Sequence, residues 1–195
     1  MATLFVDKID PQSGTSLEIG SSGDTITIPS GVTITNNGTQ TGFGGTNTPA
    51  FHAHLSADQT GLSDGADTKV ASNTETYDTD NCYDNSTNYR FTPTTAGKYF
   101  VYGQIMGDSD GTANLVDTDI TIKKNGTTTI KGVMNFSNNN SRICTHYCGG
   151  ILDMNGSSDY AELYLNLNTS DGGNYKIVGD SGQHRSFFGA YRIIT

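Results

Sequence analysis

The sequence holds no tryptophan, only 4 prolines and 3 cysteines among 195 residues, and just 16% of it is charged. Each scarcity removes a class of protein. An odd count of cysteines (Cys82, Cys144 and Cys148) argues against a disulfide scaffold. The opening "MATLFVDKID" has no basic stretch followed by a long apolar one, so no export signal is expected, and free thiols made in a reducing cytosol follow. Triplets such as Asn85-Ser86-Thr87 and Asn135-Phe136-Ser137 then read as products of composition, not glycosylation sites. No apolar run approaches the roughly 20 residues that span a bilayer, so membrane insertion is not expected. The balance of 11 basic against 20 acidic residues, with no basic cluster denser than Lys123-Lys124, speaks against a nucleic-acid partner, which needs clustered cations over phosphates.

What is present is polarity without charge. Glycine alone contributes 24 residues, and Thr, Ser, Asn and Asp make up much of the rest. Thr and Tyr suit a pleated surface, while Gly, Asn and Asp suit turns. Strand-like segments recur along the chain: "AFHAHLS", "TKVAS", "YRFTP", "KYFVYGQIMG", "DTDITIKKNG", "TTIKGVMNF", "SRICTHYCGGILDM", "DYAELYLNL", "YKIVG" and "SFFGAYRII". No long amphipathic helix interrupts them. About ten short strands separated by turns predict an all-β fold, an antiparallel sandwich or jelly roll.

The N-terminal segment follows a different rhythm. Turn dipeptides fall at Ser13-Gly14, Ser22-Gly23, Ser30-Gly31 and Asn37-Gly38, with "TSLEI", "DTITIP" and "VTITN" between them. Leu17 and Ile19, Ile26 and Ile28, and Val32 and Ile34 alternate with polar residues, as half-buried strands do. With Leu4, Val6 and Ile9 they form an apolar set too small for a core of its own, since a segment under about 40 residues usually needs a metal, disulfides or partners. Burial against copies of itself predicts an oligomeric β stem over residues 1–40, and a hairpin packed on the main domain is the alternative. Residues 41–49, rich in Gly and Thr, read as a linker, and residues 50–195 as the main domain.

Within that domain, "RFTPTTAGKYFVYG" (residues 90–103) carries a rigid reversal between aromatic strands. Pro93 fixes its own φ and disfavours helix at Thr92, and Gly97 is free to take positive φ. Phe91, Tyr99 and Val101 are then expected to point inward. Together with Phe51 in "AFHAHLS", Tyr83-Asp84, Lys124-Asn125-Gly126 and Phe188-Gly189, this stretch resembles the globular head of complement component one-q and its tumour-necrosis-factor-like relatives. The resemblance covers about three quarters of the chain. It implies a jelly-roll head that assembles as a homotrimer. The segment "LFVDKIDPQSGTSLEIGSSGDTITIPSGVTITNNG" in turn is similar to N-terminal stems of fibre-like structural proteins of tailed phages, especially those of marine bacteria. The collagen-like stalk of animal one-q proteins is missing here, which argues against an immune role.

Chemical sites are harder to find. Cys144, His146 and Cys148 in "ICTHYC" share one strand face, but at that spacing they extend over about 13 Å and cannot converge on one zinc ion. They read as packed residues, with the histidine at a trimer seam. "GDSDG" with Asp108 and Asp110, and "DTDNCYDN" with Asp78, Asp80 and Asp84, offer oxygen ligands for calcium without matching a known loop pattern. Solvated turn carboxylates are the favoured reading, with calcium the one cofactor left open. No nucleophile, base and acid fall into a catalytic arrangement, so an enzyme is not expected. The turns "NFSNNNS" and "NTSDGGNY" display Asn138, Asn139, Asn140, Asp171, Asn174 and Tyr175, candidate side chains for hydrogen bonding and stacking on sugars. The expected function is a virion structural protein, made in the host cytoplasm and displayed on the particle. Its stem would bind phage tail or capsid proteins and its head host-surface glycan. The alternative is a capsid decoration or cement protein without a receptor.

Overall fold

The computed structural model describes residues 9, 11, 13–38 and 47–193. The chain divides into two compact units, Met1–Phe43 and Gly44–Thr195. In the first unit the turns expected at Ser22-Gly23 and Ser30-Gly31 are present, while Ser13-Gly14 and Gly38 only bend the chain. The Asp24 N–H donates to the Ser21 carbonyl at 2.9 Å and the Val32 N–H to the Pro29 carbonyl at 3.3 Å. The strands expected between those turns do not form in the single chain: among the described residues before 39 there is no strand. A strand needs a neighbour's donors and acceptors, and these turns do not fold one segment back on another. Leu17, Ile19, Ile26, Ile28, Val32 and Ile34 are all exposed, as is Ile9. Leu4 and Val6 lie outside the described residues.

The second unit is built of β1 (Ala50–His54), β2 (Gln59–Leu62), β3 (Thr68–Lys69), β4 (Thr74–Asp78), β5 (Tyr83–Asp84), β6 (Arg90–Phe91), β7 (Ala96–Asp108), β8 (Leu115–Lys124), β9 (Thr127–Asn135), β10 (Ile143–Asn155), β11 (Ala161–Thr169), β12 (Tyr175–Ile177) and β13 (Phe187–Arg192). Every segment of residues 50–195 read from the sequence as strand holds one. The short strands β2, β4 and β5 have no counterpart among those segments, because "QTGL", "TETYD" and "YD" lack an apolar alternation.

The strands form two antiparallel sheets. In sheet A, β4, β1, β13, β7 and β10 lie side by side, and β12 and β2 continue past the end of β13. Sheet B runs β5-β6-β11-β8-β9, with β3 also on β11. β7 holds sheet A together: its 13 residues pair along their whole length with β10, and residues 99–104 pair with β13 on the other side. Its period-two pattern points Tyr99, Val101 and Ile105 inward, all fully buried, against Ile120, Leu163, Leu165 and Leu167 of sheet B.

The aromatic residues among those that carry the resemblance converge on one spot between the sheets. Phe51 stacks on Tyr83 with ring centroids 4.4 Å apart and on Phe91 at 4.9 Å, and meets Phe188 edge-on at 5.2 Å. Phe91 meets Tyr99 at 5.4 Å. Four segments distant in sequence are thereby pinned to each other, and each fully covered ring contributes roughly 1.5–3 kcal/mol of burial. Pro93 is buried beside them. Gly97 opens the long strand at φ 150°, a conformation closed to most side chains. The Tyr99 hydroxyl donates back to the Thr95 carbonyl at 2.7 Å and closes the reversal.

Candidate functional site

Strand alternation puts a second aromatic set on the outer face of sheet A. Phe100 and Tyr102 of β7, Phe187 and Tyr191 of β13, His52 of β1, Tyr77 of β4, and Tyr147 and Ile151 of β10 all face away from the core. Centroids of Phe100 and Tyr102 lie 5.9 Å apart, those of Phe100 and Tyr191 5.7 Å, and those of Tyr102 and Phe187 6.2 Å. The set is continuous and unpartnered: Tyr147 is 51% exposed, Ile151 59% and Tyr77 44%. Gly189 makes room for it, since a Cβ there would lie 2.6 Å from the Tyr102 ring. Burial, with the neighbouring Tyr77, raises the Tyr102 hydroxyl above the usual phenol range, so the face carries no charge there at neutral pH. The sequence announced this face in "KYFVYG", where Phe100 and Tyr102 alternate with Tyr99 and Val101. A strand with aromatic residues on both faces has two faces to cover.

At the loop end of β1 three imidazoles gather on that side. The His54 and His184 rings stack at 3.7 Å, and His52 lies 5.9 Å from His184. His54 is buried, and neither of its ring nitrogens has a hydrogen-bond partner. His52 is paired with the Thr76 hydroxyl at 3.1 Å. Burial first, and then repulsion from His184, lowers the pKa of both His52 and His54. Parallel stacked rings cannot point their lone pairs at one ion, and no metal-binding cluster of three His, Cys, Asp or Glu occurs among the described residues.

The ICTHYC segment lies on β10 with Cys144, His146 and Cys148 facing the core together. His146 is not at an outer seam, contrary to the expectation. Its Nδ1 lies 3.2 Å from the Thr118 hydroxyl of sheet B, because inward positions of β10 are covered by β8 and β9. Burial lowers the pKa of His146, pushes the Cys148 thiol up to about 12 and raises that of Cys144. These thiols are not nucleophiles.

The acidic turns hold themselves. Asp78 accepts the Tyr83 N–H at 2.8 Å and the Cys82 thiol at 3.1 Å. Asp84 caps a turn, taking the Thr87 N–H at 2.8 Å and the Asn88 N–H at 3.1 Å, and these bonds, the Thr87 one foremost, hold its carboxyl well below the usual carboxylate range. Lys176 already sits among Asp58, Asp108 and Asp110, at 3.3, 3.8 and 3.3 Å.

The two candidate recognition turns lie at one end of the sandwich. The connection after β7 joins them: the Leu115 N–H donates to Ser141 and the Ser170 N–H to Asn114. Asn138, Asn139, Asn140, Asp171 and Asn174 are exposed there. Tyr175 is not a surface residue. It is 0% exposed, and its hydroxyl reaches the Thr68 hydroxyl at 3.0 Å inside the core. Its strand β12 pairs with β7 and β2, and the alternation turns it inward, opposite to what its loop-like neighbours suggest.

A cleft the sequence did not disclose opens where the sheet edges part, between β4 and β5-β6. It encloses about 610 Å³ and is lined by Glu75, Asn81, Cys82, Tyr83, Asp84, Asn85, Ser86, Arg90 and Thr92. The Arg90 guanidinium rests on the Tyr160 ring, 4.7 Å from its centroid. No local pattern marks this site, because its two walls belong to different sheets.

No family model and no curated protein matches the chain. Among solved structures it is similar to a crystal structure of murine APRIL at pH 5.0. The TM-score is 0.52, at 11% sequence identity, over 74% of this chain and 98% of that one. The Gly44–Thr195 unit is thus an all-β, antiparallel two-sheet jelly roll of the tumour-necrosis-factor-like kind.

Proposed function

We propose that the chain is a non-enzymatic virion structural protein of a tailed phage. In this reading it is a homotrimeric fibre or knob whose N-terminal segment attaches to the particle and whose jelly-roll head is displayed to host-surface glycan. The observation that carries the assembly is the exposed aromatic face of sheet A. A monomer would leave Tyr77, Tyr147, Ile151 and Tyr191 in water, whereas copies packed around a three-fold axis bury them. The exposed aliphatic side chains of the N-terminal unit call for partners in the same way. Three heads per particle site would turn weak sugar contacts into useful avidity. The phage origin rests on the likeness of "LFVDKIDPQSGTSLEIGSSGDTITIPSGVTITNNG" to fibre stems.

Sedimentation tests the assembly: the expected mass is about three times 20.7 kDa, and a monomer at micromolar concentration ends the proposal. Antibody labelling of intact particles under the electron microscope tests the role. Label at tail or fibre tips supports attachment, label over the capsid replaces it with a decoration protein, and unlabelled particles end the phage reading.

A further inference from the structure

In a chain with 20 acidic and 11 basic residues, cations are expected to be claimed by carboxylates. Each described lysine is, the contacts running from 2.6 Å for Lys69–Glu162 to 3.8 Å for Lys176–Asp108. Arg185 reaches Asp180 at 3.6 Å, while Arg142 and Arg192 donate to the carbonyls of Gly111 and Ala96. Arg90 is the exception among the described residues. Its guanidinium is held against Tyr160 at 4.7 Å, yet it donates no hydrogen bond and forms no ion pair. Stacking fixes the plane of the fork and leaves its N–H groups unspent, the arrangement that suits a planar carboxylate.

Across the cleft, Glu75 of β4 is likewise without a hydrogen-bond or ion-pair partner among the described residues, and burial, with Asp78 nearby, raises its pKa. The other acid in the lining, Asp84, spends its oxygens on its own turn. The cleft thus presents one unspent cationic fork, one unspent acceptor and the amide of Asn85, in a volume suited to a small ligand, with about 300–1,000 Å³ being usual.

We propose that this cleft binds a carboxylated sugar, a uronic-acid unit of a surface polysaccharide, with its carboxylate on Arg90 and its ring hydroxyls donating to Glu75. A simple anion would leave Glu75 facing a like charge, and a neutral sugar would leave the guanidinium without its acceptor. A sugar carrying both groups satisfies both walls. The inference rests on the glycan-binding reading above and moves the contact from the Asn-rich turns to the sheet edges.

The test is calorimetric titration of the full chain with a galacturonic acid trisaccharide and, in parallel, with the matching neutral galactose trisaccharide. Binding of the acid, at least tenfold weaker binding of the neutral sugar, and at least a tenfold loss in Arg90→Ala are expected. Arg90→Lys, which keeps the charge but not the fork, should retain part of the affinity, and Asn139→Ala all of it. An unchanged thermal midpoint for Arg90→Lys controls for folding. Equal binding of both sugars, an Arg90→Ala variant that binds as well as the parent, or no binding of the acid overturns the proposal. A phage-adsorption competition separates the two levels. If parent and Arg90→Ala compete equally, attachment stands and the cleft falls; if neither competes, the attachment reading itself fails.

Discussion

The outer faces of the two sheets display different chemistry. Sheet B faces water. Lys123 meets Asp67 at 2.8 Å, Lys131 meets Asp119 at 2.6 Å, and Asn168 donates to Asp117 at 2.6 Å, while Lys123 also lies 4.1 Å from the Tyr164 ring centroid. Sheet A carries Tyr77, Phe100, Tyr102, Tyr147, Ile151 and Tyr191 on the corresponding surface. Both sheets share one core and one alternation, so strand geometry does not explain the difference. A hydrated face satisfies its charges with one another, and an aromatic face waits for a surface of its own kind. In the proposed assembly sheet B is the side turned to solvent and sheet A the side turned to a second copy.

The largest effect expected from breaking this asymmetry is on assembly. In the proposed trimer, Tyr147→Asp with Ile151→Asp would bury unpaired charge in the interface and weaken association at least 100-fold, leaving monomer in sedimentation velocity. Because both side chains are exposed in the single chain, its unfolding midpoint should move little. A trimer that survives this change would place the interface elsewhere.

Next in size is a change to the core both faces share. Phe51→Ala removes the ring against which Tyr83, Phe91 and Phe188 pack, at a cost of about 3–5 kcal/mol in urea unfolding. A loss below about 1 kcal/mol would mean the four segments are held by something other than this cluster.

Acid should then sharpen the contrast between the sheets. The folded pKa values of His52 and His54 lie below the unfolded one, near 6.5, so the unfolded chain binds more protons in the interval between. Stability is full above about pH 6.5 and falls as the pH drops from there through the folded values. His184, Asp180 and Arg185 face the same cluster. Thermal midpoints of the parent should decline between pH 7 and 5, and His54→Phe should flatten the decline. A parallel decline in both would exclude these imidazoles as its cause.

The smallest effect belongs to the wet face. Asp67→Asn breaks the ion pair with Lys123 and should cost about 1 kcal/mol or less, with no change in sedimentation. An altered oligomer would show that sheet B also takes part in assembly.

Much of the head was legible in the order of residues. Phe91, Tyr99 and Val101 point inward as "RFTPTTAGKYFVYG" requires, and the shared face of Cys144, His146 and Cys148 follows from period two alone. Tyr175 follows a run of turn formers and so reads as a surface residue, and only the pairing of β12 with β7 and β2 turns it inward. The stem segments alternate as strands do, but among the described residues no strand forms there in the single chain, because the copies of the chain expected to pair with them are not alongside. The sequence does not say which sheet covers β10, so His146 reads as a residue of a trimer seam, whereas it packs on Thr118 within the single chain.

By itself the sequence determined where strands alternate, where turns reverse them and which aromatic residues stand on each side of β7, since all three depend on near neighbours along the chain. Only the tertiary structure decided that Phe51, Tyr83, Phe91 and Phe188 form one cluster, that His184 stacks on His54 of β1 and that Arg90 alone among the described lysines and arginines is left without a hydrogen-bond or ion-pair partner. Those outcomes depend on which distant segments share a sheet edge, because burial and charge pairing are properties of surfaces brought together and not of the order in which their residues are linked.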